Sequence, residues 1–268
     1  MKSFWTKVGA FLYRDFLSDL SYRFAFFLQL GGMIFSVAVF YFASRMIDPS
    51  TAGFDGIAPF PWLLVGVAFQ LYFSTALYSF SAKVRSEQVL GTLEAMLVSP
   101  TPTSLVIFSS TAWDFTWGAL RLLVYLLAAV LIFGVKLHVE SPLALLTGVA
   151  LTLVSSAGIG MISASFILYF KRGDPVNFLL TMGTTFFGNV VFPSKVLPPA
   201  IAWVSDWLPM TWSLRIVRGT LLQGAGFSDV SGQILRLAVL TAVLVPAGLV
   251  SAKLAIQKAK QEGSLVQY

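Results

Sequence analysis

Between Phe24 and Ser44 the chain runs without one charged side chain, and between Leu143 and Phe170 it does so again. A helix needs about 20 mainly apolar residues to cross a hydrocarbon core. Six stretches meet or approach that length: Phe24–Ser44, Pro61–Phe80, Leu105–Gly134, Leu143–Phe170, Val176–Phe192 and Gln233–Ile256. Of the residues, 57% are hydrophobic and 11% charged, where soluble domains carry about 25% charged residues. Such a chain cannot hide its apolar side chains inside a water-soluble globule. The expected fold is all-α integral membrane, with six transmembrane helices in a single domain over residues 1–268.

At the start of the chain, Trp5, Val8, Leu12 and Phe16 recur at steps of three and four, while Lys7, Arg14, Asp15 and Ser18 lie on other faces. This predicts an amphipathic interfacial helix over residues 1–22. Arg14, Asp15 and Asp19 interrupt the apolar run that a secretory signal peptide would need. With a cytoplasmic N-terminus, six spans leave eleven basic residues on the cytoplasmic side and six outside, with Arg121 inside a span. The positive-inside rule then places both termini in the cytoplasm. The net charge of +6 belongs to that asymmetry and does not call for nucleic acid. The absence of cysteine removes disulfides and thiolate metal sites.

The region between Phe192 and Gln233 is neither a clean span nor a polar loop. It holds Pro193, Pro198, Pro199 and Pro209 together with Trp203, Trp207 and Trp212. Proline breaks helices and tryptophan favours the membrane interface. Two short re-entrant helices over residues 193–222 are expected, dipping into the outer leaflet, with their backbone covered by protein or facing water. The alternative is an extracellular interfacial loop.

Two motifs carry a resemblance. Glu87-Gln-Val-Leu-Gly91-Thr92-Leu93-Glu94-Ala-Met-Leu97-Val-Ser99-Pro100 lies between the second and third spans. Phe192-Pro193, Leu197-Pro198-Pro199 and Leu208-Pro209 follow, with Leu214 and Arg215 or Arg218 after them. The first resembles the cytoplasmic coupling segment of type-2 ATP-binding cassette (ABC) exporter permeases. The second is similar to that family's signature around the fifth span and the outer re-entrant helices. The resemblance covers essentially the whole chain. It implies a transmembrane permease subunit of an ATP-driven exporter in the cytoplasmic (inner) membrane of a prokaryote. It further implies an identical second permease subunit and two copies of a cytoplasmic ABC ATPase. A phosphate-cradling loop reads G-x-x-x-x-G-K-[S/T], and no Gly-Lys pair occurs in the chain. ATP and Mg are therefore expected on the ATPase, with no cofactor in this chain. Membrane lipids are partners; nucleic acid is not.

Within the coupling segment, residues 81–103, Val89, Leu90, Leu93, Met96 and Leu97 make one apolar face. Glu87 and Glu94 are seven residues apart and lie on a similar face two turns away. The expected ATPase-coupling set is Glu87, Gly91, Thr92, Leu93, Glu94 and Leu97. Glu94 meets a basic group on the ATPase, and Gly91 permits close approach. Ser99 to Pro102 ends the helix. In the turn Lys171–Pro175, Asp174 caps the following helix and offers a second coupling contact. The alternative is an interfacial helix without a partner.

Asp114 and Arg121, also seven apart, share a face inside the third span. Charge in lipid is expensive, so they form either a structural pair or a polar patch near the pathway, where Arg121 meets an anionic headgroup. The likeness to polysaccharide exporters, whose conduits are lined by aromatic belts, makes Phe35, Tyr41, Phe69, Tyr72, Phe73, Phe186 and Phe187 pathway candidates. Packing and lipid contact are the competing reading. Phenylalanine outnumbers tyrosine 24 to 8, which favours an amphiphilic cargo such as a drug-like molecule, a lipid or a lipid-linked saccharide. The expected outer gate is Pro193, Pro198, Trp203, Trp207 and Pro209.

Other functions fit less well. The one histidine, His138, lies in a short outer loop, and no His-Glu-x-x-His motif occurs. No catalytic residue and no metal site are expected. An ATPase-independent carrier or channel would bury several ionisable groups along its path, where only Asp114 and Arg121 qualify. A membrane sensor subunit differs from an exporter in whether transport depends on the ATPase.

Overall fold

A computed structural model of the chain describes Gly9, Tyr13, Leu17 and residues 23–47, 54–89, 103–170 and 175–261. All the regular structure among these residues is helical: α1 (Arg23–Ser44), α2 (Pro59–Val89), α3 (Thr103–Phe133), α4 (Pro142–Phe170), α5 (Pro175–Phe187), a 3-10 turn (Ser194–Val196), α6 (Pro199–Asp206), α7 (Pro209–Leu222) and α8 (Ser231–Gln261). Five of them, α1 to α4 and α8, are long and apolar enough to cross a membrane. The protein is an all-α, multi-pass membrane protein. Gly9, Tyr13 and Leu17 are helical; the rest of the expected N-terminal amphipathic helix lies outside the described residues.

The apolar run Val176–Phe192 is realised differently from a full span. Helix α5 has 13 residues, which at 1.5 Å per residue is about 20 Å, short of the ~30 Å core. Its end is set by backbone chemistry. Gly188 N–H still bonds back to Thr184 C=O at 2.8 Å, and Asn189 then turns left-handed, with φ 62°. Helix α2 shows the opposite difference. It continues past Phe80 to Val89, because Ser81–Val89 contains neither glycine nor proline to stop it.

Other ends follow local rules. Gly134, with φ 66°, terminates α3, and Val135 N–H reaches back to Ala129 C=O at 3.1 Å. Ser141 caps α4 by accepting from Ala144 N–H at 3.3 Å, with Pro142 in the first turn.

Helix α2 is the centre of the bundle and packs against α1, α3, α4, α5 and α7. Its Phe69, Phe73 and Leu77 share the main core with Met210, Leu214 and Val217 of α7. Helices α4 and α8 approach until their backbones touch. A Cβ on Gly248 would lie 2.6 Å from the Gly158 carbonyl oxygen, and one on Gly158 would lie 2.9 Å from that of Leu244. In lipid, close packing of this kind replaces the hydrophobic drive between helices. Outward-facing apolar side chains such as Phe24, Leu131, Leu235 and Val243 are exposed, as a lipid-facing surface requires.

Candidate functional site

Helix α5 is short, and polar contacts fix it to α2 along its length. At the end where α2 extends toward Val89, Asn177 Nδ2 donates to Ser81 Oγ at 2.7 Å. Ser163 of α4 donates to Asn177 Oδ1. All three residues are buried. Further along, Gln70 Nε2 donates to Thr184 Oγ1 at 3.0 Å and to the Thr181 carbonyl at 3.2 Å. Asn177, Thr181 and Thr184 stand at i, i+4 and i+7 and so share one face of α5. An unshared amide costs heavily in an apolar interior, so α2 and α5 separate only if these contacts are replaced. Gln70 Oε1 and Thr181 Oγ1 have no hydrogen-bond partner, so polar capacity is left over in the α2–α5 contact.

At the other end of α2 the tie is Arg218, a residue of α7 that is only 3% exposed. Its Nε and Nη2 donate to the Trp62 carbonyl at 3.2 and 2.9 Å. Nη1 donates to the Asn189 carbonyl at 2.6 Å and Nη2 to that of Val190 at 3.1 Å. Buried backbone carbonyls outside a helix need donors from elsewhere, and Arg218 supplies them for the turn that ends α5. The Arg218 guanidinium is buried. Its hydrogen-bond partners are all carbonyls, which only accept, so the bonded form is the protonated one.

Gly66 makes the space. A Cβ there would meet the Val190 carbonyl oxygen at 2.3 Å and Arg218 Nη2 at 2.5 Å. The turn is closed from its other side as well. Asn189 Oδ1 accepts from Ser194 N–H at 3.0 Å, and Ser205 Oγ of α6 donates to the Phe187 carbonyl at 2.6 Å.

The loops at this end converge on the same helices. Lys195 Nζ lies 2.5 Å from Asp55 Oδ1, and Gln223 Nε2 donates to the Asp55 carbonyl at 2.8 Å. His138 N–H bonds to Leu221 C=O at 2.8 Å.

The predicted site residues fall into separate places. Pro193 is buried in the turn after α5, Pro198 caps α6, and Pro209 opens α7. Trp203 and Trp207 are 62% and 70% exposed. Asp114 Oδ2 accepts from Ser79 Oγ at 2.5 Å, and the Arg121 guanidinium lies 5.5 Å from the centre of the Trp117 ring. Phe69, Tyr72 and Phe73 are buried within the single chain, whereas Phe35 and Phe186 are 71% and 50% exposed. Tyr41 packs between Phe60 and Phe133, and Phe187 is half-buried. Glu87 belongs to the last turn of α2. Gly91, Thr92, Leu93, Glu94, Leu97 and Asp174 lie outside the described residues.

Sequence reading passes over Gly66, Gln70 and Asn177. Their one signal is an amide or a glycine inside an apolar run. Among the described residues, no group of His, Cys, Asp and Glu is placed to hold a metal ion.

Comparison with known proteins bears on what this arrangement serves. The ABC-2 type transporter family matches residues 6–222. ABC transporter G family member 20 of Dictyostelium discoideum is 26% identical over 183 residues, which cover 67% of this chain and 24% of that protein. The chain therefore spans about a quarter of that relative's length.

Proposed function

The chain belongs to the ABC-2 type transporter family, a family of non-catalytic transport domains, and we propose that it is the permease subunit of an ATP-driven exporter. Two copies of the chain work with two copies of a cytoplasmic ABC ATPase, which carry ATP and Mg. Helix α5 together with the apolar turn that follows it, through Phe192, makes the fifth of six crossings, and α6 and α7 return within the outer half of the bilayer. Both termini are then cytoplasmic, in the inner membrane of a prokaryote.

The observation that carries this reading is the family match, which runs from the N-terminal segment through the re-entrant helices. The polar ties support a mechanism for it. ATP closes the ATPase dimer against the coupling segment, where Glu94 and Glu87 make the contact and Asp174 adds a second. Because Asn177 and Gln70 bind α5 to α2, a rigid shift of α2 carries α5 with it. Arg218 and the turn after α5 pass that shift to α7, and the gate at Pro193, Pro198 and Pro209 parts. ATP drives this only through its different affinity for the two states.

The cargo is an amphiphilic or lipid-linked molecule moved from the cytoplasm or inner leaflet. It passes between the subunits, past Phe35, Tyr41, Phe186 and Phe187. Phe69, Tyr72 and Phe73 join the lining once α2 parts from its neighbours. Native mass spectrometry of the protein drawn from its own membrane tests the assembly, which is expected to hold two permeases and two ATPases. Emergence as a lone chain, under conditions that preserve other complexes, overturns it. A Glu94→Ala complex is expected to hydrolyse ATP without transport; normal transport removes the role given to Glu94.

A further inference from the structure

Trp212 of α7 is buried, and its Nε1 donates to the Asp206 carbonyl at 2.8 Å. Two guanidinium groups lie against this one ring. Arg215 of α7 and Arg236 of α8 each place their central carbon 4.5 Å from the ring centre. An aromatic face attracts a cation, but it does not neutralise one, and two like charges on a shared ring repel each other. Arg215 uses Nη2 to donate to Ser194 Oγ at 3.1 Å. Among the described residues Arg236 makes no hydrogen bond, and neither arginine forms an ion pair. Planar donors are therefore left free on two adjacent cations.

The position says what faces them. Arg236 is exposed, near the start of α8. It adjoins Leu235, Val239 and Val243, which stand at i, i+4 and i+8 on one face and are all exposed. That apolar stripe faces lipid, so the arginine beside its end stands at headgroup depth. A guanidinium there keeps its stem along the apolar surface and its head at the polar boundary. A forked donor set suits a phosphate oxygen pair.

We propose that Arg236 and Arg215, held on the Trp212 ring, form a binding site for the phosphate of an anionic phospholipid in the leaflet at this end of the bundle. The acyl chains of that lipid lie along the stripe Leu235, Val239 and Val243. A choline headgroup brings a cation toward two cations and is disfavoured; a glycerol headgroup does not. The site is separate from the coupling path and needs no ATPase.

The test is native mass spectrometry of the delipidated full chain, offered phosphatidylglycerol and phosphatidylcholine at equal concentration. The wild type is expected to retain phosphatidylglycerol preferentially. Arg236→Gln is expected to lose that preference by about fivefold, as removal of one basic group near a lipid surface predicts. Arg236→Lys keeps the charge without the fork and is expected to fall between. Lys195→Gln serves as the control, because the Lys195 ammonium is already paired with Asp55. Its preference should match the wild type. Equal retention by wild type and Arg236→Gln overturns the site, and so does an equal loss in Lys195→Gln. Glycerol phosphate, the same headgroup without chains, separates the two sources of phosphate. If it binds through Arg236 as tightly as the lipid does, the ligand is a free phosphate and the lipid assignment fails.

Discussion

Arg218 grips Trp62 at two places at once: its Nε and Nη2 donate to the Trp62 backbone carbonyl, and its guanidinium carbon lies 3.4 Å from the centre of the Trp62 ring. The same side chain holds the carbonyls of Asn189 and Val190. One residue of α7 thus joins the first turn of α2 to the turn that ends α5. A charge this deeply buried endures only when it is fully bonded.

Replacing Arg218 should therefore be among the costliest single changes in the chain. Arg218→Ala leaves three carbonyls without this donor, at about 1–3 kcal/mol for each one that finds no substitute. Thermal unfolding of the detergent-purified protein should show a large drop in midpoint. Arg218→Lys should recover part of it, since an ammonium offers three donors without the planar fork. An unchanged midpoint in Arg218→Ala would mean that water or another side chain already covers the turn.

Gly66→Ala tests the same junction from the α2 side. The added methyl meets the Val190 carbonyl oxygen at 2.3 Å and Arg218 Nη2 at 2.5 Å, so α2 and the turn must separate. Overpacking of this kind costs about 1–3 kcal/mol. Because one of the two collisions is with Arg218 itself, the penalty should shrink in an Arg218→Ala background. A double-mutant cycle on unfolding midpoints reads that coupling. Strict additivity would count against a shared contact.

Much of this fold is legible in the sequence, because lipid leaves the backbone so few choices. The apolar runs mark α1, α2, α3, α4 and α8, and the prolines at 198, 199 and 209 mark where α6 and α7 begin. Two boundaries are not legible. Val190, Val191 and Phe192 prolong the apolar run after α5, yet the helix stops before them at Gly188 and Asn189. Lys83 and Arg85 mark where the apolar run ends, but a helix needs no apolar run to continue to Val89. The site was harder to read. Arg215 and Arg218 have the same side chain three residues apart, and composition counts both as outer charge. Only the packing of α7 on α2 separates a half-buried arginine from a buried one.

Asn177 should connect stability to coupling. Asn177→Ala removes the buried hydrogen bonds to Ser81 and Ser163 and strands the Ser163 hydroxyl, while Ser81 keeps its bond to the Tyr78 carbonyl, at about 1–3 kcal/mol. Asn177→Asp should be worse, because it replaces a donor with a buried charge. If α5 follows α2 through this residue, the alanine variant should lose more transport than ATP hydrolysis. The check is the ratio of the two rates in reconstituted vesicles. A parallel fall in both would assign Asn177 to folding alone.

Lys195 and Asp55 provide the contrast with Arg218. Their side chains are 70% and 53% exposed, and exposed ion pairs contribute about 0–1 kcal/mol. Lys195→Ala should leave the unfolding midpoint nearly unchanged, and raising the salt concentration should have as little effect on the wild type. A drop comparable to that of Arg218→Ala would show that the loop before α2 is held chiefly by this pair.

Glycine substitutions make the packing argument quantitative, because the same change should have opposite effects at two sites. At Gly248 a Cβ would stand 2.6 Å from the Gly158 carbonyl oxygen and 3.2 Å from Met161 side-chain atoms, whereas at Gly32 of α1 it would meet nothing within 4 Å. Alanine in a helix is favoured over glycine by about 0.8–1 kcal/mol. Gly32→Ala should therefore leave the unfolding midpoint unchanged or raise it. Gly248→Ala must push α8 away from α4, and with no hydrophobic drive between helices in lipid, the lost contact has no substitute. Its midpoint should fall, and Gly248→Val, which adds a branch at the same point, should lower it further. If Gly248→Ala proves as harmless as Gly32→Ala, the helices do not approach at Gly158, and the contact between α4 and α8 must rest on their side chains instead.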